Sequence, residues 1–202
     1  MPKAPGKPSP PSALRGLLKR HTAAAHEALQ ASPSAGRLLA ADLTWPEYRD
    51  LLGRYYGFLE PLGQRWRSHP VGSPWAAFVK PALRLEELRR DLQMAGADLN
   101  TLPLADAAWV QTEPPFTVGV IYVLLGSTLG GKLIARSLTQ SLGLTTDRGC
   151  AYFAASADAG SWRRFLEELE LYPWSEADLE LLQTAALHTF AQLHRWFGQH
   201  DE

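Results

Sequence analysis

His26 and Lys19 are the polar pair in this sequence best spaced to act together on one ligand. They stand seven residues apart within Leu18–Glu27, which reads L-K-R-H-T-A-A-A-H-E. That separation is two helical turns, or about 10 Å along the axis. An imidazole can ligate a metal and an ammonium can pair with an acid, so one helix can grip two ends of the same molecule. Arg15, Lys19, Thr22 and His26 form a row beside the apolar stripe Leu14, Leu18, Ala25 and Leu29; it faces partly the core and partly its rim. The second chemical feature is Tyr122–Arg136, Y-V-L-L-G-S-T-L-G-G-K-L-I-A-R. It places Gly126, Gly130 and Gly131 inside an apolar helical pattern, where each glycine costs ~1 kcal/mol of helix propensity relative to alanine. Gly126 and Gly130 are four apart and share a helical face. A face without side chains lets a flat or bulky body reach the backbone.

Three readings compete for that face: a close helix–helix crossing, a membrane dimer motif of G-x-x-x-G type, and a helix lying across a planar cofactor. The uncharged run 116–131 is shorter than the ~20 residues of a membrane span, and Lys132 and Arg136 follow it at once. No membrane span is expected. Heme has a reach from iron to propionate comparable with the His26–Lys19 spacing, and an imidazole opposite bare backbone is what a heme sandwich requires. The plainer alternative is a His26 packed at the core edge, hydrogen-bonded through one nitrogen. His21 lies well around the helix from His26 and cannot share its metal; His69, His188, His194 and His200 carry no motif. Cys150, the lone cysteine, sits in G-C-A-Y without a catalytic signature and reads as packing or a free thiol.

The elements that must position these residues are helices. One is predicted from Ser12 to Gln30, with Ser12 as N-cap and Ser32-Pro33 as stop, then a short helix or turn over 33–41. Thr44-Trp45-Pro46-Glu47 opens a long aromatic helix with a capping box and a kink at Pro61. Ser73-Pro74 opens another to Met94, interrupted at Pro81, whose charged face (Arg84, Glu86, Glu87, Arg89, Arg90, Asp91) reads as solvated surface. The glycine helix is expected from Thr117 to Gly143. Residues 150–155 are ambiguous. Helices follow over Asp158–Leu171 and, capped by Ser175 and Asp178, to Gly198. No stretch alternates with period two, so the fold class is all-α, with seven to nine helices in a single domain over 13–198. The proline-rich residues 1–12 read as a disordered arm without a secretory signal. A net charge of −1 argues against bulk nucleic-acid binding, and a lone cysteine fits a reducing, cytoplasmic setting.

Leu18–Glu27 taken with Tyr122–Lys132 resembles the heme oxygenase family, most closely the bacterial branch associated with bacteriophytochromes. The likeness runs over Leu14–Phe197 and includes W-R-R-F-L-E-E-L and the terminal T-F-x-x-L-x-x-W-F. It implies a heme oxygenase-like bundle that cleaves heme b oxidatively to biliverdin, the IXα isomer by analogy, releasing iron and carbon monoxide. Dioxygen and an external electron donor, a reductase or a ferredoxin-type protein, are then required, and a bacteriophytochrome is a candidate acceptor of the product. The resemblance makes His26 the proximal iron ligand. Gly126 and Gly130 become the distal-helix glycines, with Gly131 in the same flexible kink. Lys19 and Arg163 match propionate-contacting positions, Thr22 belongs to the T-x-x-x-H motif, Tyr122 contacts the heme edge and Phe190 lines the pocket. The sequence departs from the family twice. The carboxylate that follows the first distal glycine in animal enzymes is Ser127 here, and the Glu that precedes it in many bacterial relatives is Leu125. Proton delivery then rests on Ser127, Thr128, backbone carbonyls and ordered water. Heme carriage without turnover, a thiamin-directed enzyme on a related fold and a helical scaffold are the alternatives; Cys150 is poorly placed for the second.

Overall fold

Residue pairings too distant for any sequence pattern to show hold the helices together. The structure is a computed structural model that describes residues 13–155 and 159–199; the proposed arm, Ser12, Asp158 and His200 lie outside them. The described residues form ten α-helices and one 3-10 turn: α1 (Ala13–Gln30), α2 (Pro33–Arg37), α3 (Trp45–Ser68), α4 (Ala76–Leu83), α5 (Leu85–Met94), α6 (Pro114–Ser127), the turn Thr128–Gly130, α7 (Gly131–Leu142), α8 (Ala151–Ala154), α9 (Ala159–Leu171) and α10 (Glu176–Gly198). No strand occurs among them, only isolated bridges near Thr145.

Capping chemistry sets several of the boundaries. At the start of α3 the Glu47 carboxylate accepts from the Thr44 N–H at 2.8 Å and the Thr44 hydroxyl at 2.7 Å. At α10 the Ser175 hydroxyl accepts from the Asp178 N–H at 3.2 Å. Gly143 ends α7 in the left-handed region, φ 66°. Helix α3 runs on through Pro61 to Ser68 without ending there.

The break between α4 and α5 falls at Arg84, three residues past Pro81. Arg84 is left-handed, φ 48°, a conformation costly for a non-glycine residue unless the surroundings hold it. They do so here. Its Nη1 donates to the Tyr152 carbonyl at 2.8 Å, and the guanidinium lies 4.3 Å from the centre of the Tyr152 ring. The supposedly solvated charged face is therefore partly interior: Arg84 and Asp91 are buried, and Arg89 pairs with the buried Glu60. The Asp91 carboxylate accepts from the N–H groups of Ala151 and Tyr152 at 2.9 and 2.8 Å, which fixes the short α8 where the sequence was ambiguous.

The apolar helix α6 packs most extensively against α10. A Cβ at Gly119 would stand 2.4 Å from the Leu182 carbonyl oxygen and 2.7 Å from the Ala185 Cβ. The close helix crossing that the glycines suggest is thus real, but it occurs two turns before Gly126. By length and composition the stretch Pro114–Leu142 could cross a membrane, yet 56% of its apolar window is buried inside the protein.

Candidate functional site

Thr22 of α1 stands near Tyr122 of α6. Thr22 is buried and its hydroxyl donates to the Leu18 carbonyl at 2.9 Å. Burial raises the Tyr122 phenol's pKa, and the Thr22 side chain opposes the rise. One turn beyond Thr22 comes His26, and one turn beyond Tyr122 comes Gly126. A slot lies among the helices, with Tyr55, Phe58 and Leu59 of α3 in its wall. Leu29 lines it from α1, Ser127 and Gly131 from the far side, and Leu193 and Phe197 from α10, with Tyr152 and Phe153 of α8 at one end. Its cavity volume is about 100 Å³, below the ~300–1,000 Å³ usual for small-molecule and cofactor sites. Most of the lining is hydrocarbon and aromatic, which suits a flat apolar body.

His26 is exposed. Its ring stands edge-on to Phe190 at 6.0 Å, and no hydrogen bond to either of its nitrogens occurs among the described residues. It is not the tied-down core histidine of the plainer reading. Phe190 is buried one turn before the slot-lining Leu193, so it backs the imidazole from α10. His188, by contrast, is occupied: it stacks on Trp109 at 5.2 Å and pairs with Gln192 at 2.7 Å. His21 contacts the Leu17 carbonyl at 3.3 Å.

The glycine segment differs from expectation in one respect. The face at Gly126 is covered, because the Trp162 indole of α9 would meet a Cβ there at 3.4 Å. Trp162 also packs on Tyr122 at 5.5 Å. At Gly130 nothing stands within 4 Å of the Cβ position, so the bare surface lies there. Between them the chain tightens into the 3-10 turn Thr128–Gly130, which rotates Gly130 away from the face that an unbroken α-helix would share with Gly126. The hydroxyls of Ser127 and Thr128 are turned back on the helix, each donating at 2.7 Å, to the Leu124 and Leu125 carbonyls respectively. Gly131 is buried in the slot wall.

Lys19 and Arg163 are exposed on α1 and α9, helices that touch each other. The Arg15 N–H donates to Glu170 at 2.8 Å across the same junction. Of the residues expected at the site only Ser127 and Gly131 line the slot; His26, Lys19, Thr22, Tyr122, Gly126, Gly130, Arg163 and Phe190 do not. Among the lining residues that escaped sequence reasoning are Arg84 and Tyr152. Arg84 lies in what reads as a surface row, and Tyr152 in a stretch without periodicity; only the fold brings them to the slot. Cys150 is buried outside the slot lining, its thiol pushed up to about 11, chiefly by burial.

The fold defines an all-helical protein with a mostly apolar slot among its helices; His26 on α1 and the side-chain-free position at Gly130 are exposed and lie outside the slot lining. Comparison with known proteins narrows this. The heme oxygenase family model matches residues 12–199, and the chain belongs to the heme oxygenase family. A heme oxygenase of Xanthomonas campestris is 34% identical over 158 residues, covering 73% of this chain and 86% of the relative. Among solved structures, the heme oxygenase of Leptospira interrogans superposes with a TM-score of 0.77 at 18% identity, over 93% of this chain and all of the other. Heme oxygenase-1 of the cyanobacterium Synechocystis, solved in complex with heme, superposes with a TM-score of 0.71 at 19% identity, over 93% and 92%. As a member of this family the chain is an enzyme that degrades heme.

Proposed function

We propose that this chain opens heme b to biliverdin, with His26 holding the iron from the α1 side and the Gly126–Gly131 segment closing over the opposite face. The observation that supports this is the heme oxygenase family match over residues 12–199, with which an exposed His26 backed by Phe190 and open space at Gly130 agree. Bound heme supplies the redox chemistry and is consumed by it, with release of iron and carbon monoxide.

The chain's own tasks are positional. The His26 imidazole, backed by Phe190, would hold the iron from the α1 side. The absence of a side chain at Gly130 leaves room for dioxygen between backbone and substrate. Lys19 and Arg163 at the rim pair with the propionates and set the rotation of the ring, and with it which meso carbon is attacked; the IXα product is the expected one. Ser127 and Thr128 hold ordered water for proton delivery. Electrons come from an external reductase or ferredoxin-type donor, and a bacteriophytochrome is the proposed acceptor of the pigment. A cytoplasmic setting fits a lone, buried cysteine.

The test is to add hemin to the purified protein, supply ascorbate or reduced ferredoxin under air, and identify the pigment. Loss of the Soret band with appearance of biliverdin is expected. His26→Ala should lose the five-coordinate imidazole spectrum and most turnover. Wild-type spectra and rate in that variant would overturn the ligand assignment.

A further inference from the structure

A second cavity backs onto the slot from the opposite side of the distal turn. Lys80, Arg84, Glu87, Leu125, Thr128 and Ser161 are in its lining, and its empty volume is about 790 Å³, mouth included. Arg84 lines both spaces. Ser127 faces the slot while its neighbour Thr128 faces the second cavity, so the wall between them there is one turn of chain.

Two buried polar atoms on residues that line this cavity have no hydrogen-bond partner among the described residues. One is the Arg84 Nε, a donor; the other is the Glu87 Oε2, an acceptor. Arg84 is only 7% exposed, with Nη1 already committed to the Tyr152 carbonyl. Lys80, the nearest cation on α4, is engaged by Glu86 at 2.8 Å. Asp91, the other charged group facing Glu87, is taken up by the α8 amides. The cavity wall is more apolar than polar, but Lys80, Arg84, Glu87, Thr128 and Ser161 place polar groups around a space large enough for water.

We propose that Glu87 feeds protons through this cavity, past Arg84 and Thr128, to the slot at Ser127, and so takes over the task for which position 127 has no carboxylate. The inference rests on the heme-opening reading above. Glu87 touches no substrate; it acts through water and is a positioning residue for the proton. The step moves one proton and no electrons. The Glu87 carboxylate takes up one proton from solvent and passes it to cavity water, and the water chain passes one along the Thr128 hydroxyl into the slot, which leaves the carboxylate as it began. Arg84 keeps its own protons throughout.

The experiment compares wild type, Glu87→Gln and Glu87→Asp as full-length hemin complexes. In Glu87→Gln, heme affinity and the Soret maximum stay at wild-type values, while single-turnover biliverdin formation slows about 10-fold, the low side of what proton transfer by a positioned group contributes. Glu87→Asp recovers the rate to within about twofold. Independently of turnover, the pH midpoint of the acid–alkaline spectral change of the ferric complex falls by about half a unit in Glu87→Gln, because removing a carboxylate favours the more negative form. A wild-type rate with an unmoved midpoint overturns the proposal, and so does a slowing fully explained by weaker heme binding. Should Glu87→Gln fail to fold, Thr128→Val decides: the same slowing supports the route, and a wild-type rate overturns it. Failure of the wild type to make pigment would instead overturn the heme-opening reading, so the two failures are distinct.

Discussion

At the scale of single residues, what separates a site from a packing detail is what each side chain lacks. His26 has an aromatic backing and no hydrogen-bond partner among the described residues; His188 has both a stacking partner and a hydrogen bond. Both are histidines on apolar helices, and the sequence separates them only through the row that His26 shares with Lys19. The glycines divide in the same way. Gly126 is covered by Trp162, whereas Gly130 has open space where a side chain would go. This contrast makes a sharp prediction. Gly130→Phe should fold with nearly the stability of the wild type, since Gly130 is exposed and a Cβ there meets no atom within 4 Å. It should nonetheless lose biliverdin formation, because the ring fills the space proposed for dioxygen and heme. A thermal melt paired with the hemin assay checks both halves; unimpaired pigment formation would remove the close-approach argument.

At the scale of elements, two junctions bear directly on how the slot is held. Where α6 crosses α10, alanine at Gly119 gains ~1 kcal/mol of helix propensity. It also drives a methyl to 2.4 Å from the Leu182 backbone oxygen, and overpacking of that kind costs ~1–3 kcal/mol or more. Backbone cannot swing aside as a flexible side chain can, so the clash wins. Gly119→Ala should lower the melting temperature by several degrees, at ~2–4 °C per kcal/mol for a chain this long. Gly36→Ala, with nothing within 4 Å, should not. At the start of α3, hydrogen bonds from the Thr44 hydroxyl and N–H, then from Arg37, hold the Glu47 carboxyl at about 2, below its ordinary 4.5. A carboxylate with a depressed pKa stabilises the fold fully above about 4.5, and the contribution fades as pH falls toward 2. The melting difference between wild type and Glu47→Gln should therefore be constant from pH 7 to about 5 and close progressively below that. Such caps were legible in the sequence because their partners are three residues apart. The Arg84 break, the Asp91 clamp on α8 and the covered face at Gly126 were not. Each depends on a partner 36 to 68 residues away (Trp162, Tyr152 and the α8 amides), and nothing in a local period records it. The rule that a row of charges is a solvated face failed for Arg84 and Asp91 because α8 and the second cavity lie against it.

At the scale of the whole molecule, the all-α class and nearly every helix could be read from apolar spacing, since helix formation is a local matter. The slot could not be read from the sequence, since its lining comes together only when α1, α2, α3, α6, α7, α8 and α10 pack around it. A wedge of that kind leaves packing unmet, and a ligand that fills it ties those helices together at once. Heme that binds the folded chain and not the unfolded one must stabilise it by mass action, ~2.7 kcal/mol at one hundred times the dissociation constant. For a chain of this length that corresponds to a rise in melting temperature of ~5–11 °C. The rise should grow with the logarithm of hemin concentration. It should shrink sharply in His26→Ala, which removes the proposed iron bond without disturbing a buried contact, since His26 is exposed. A scan of melting temperature against hemin for both proteins measures this without any turnover. An equal rise in the two would mean that heme is held elsewhere than beside His26, and no rise in either would mean that the wedge is not its site.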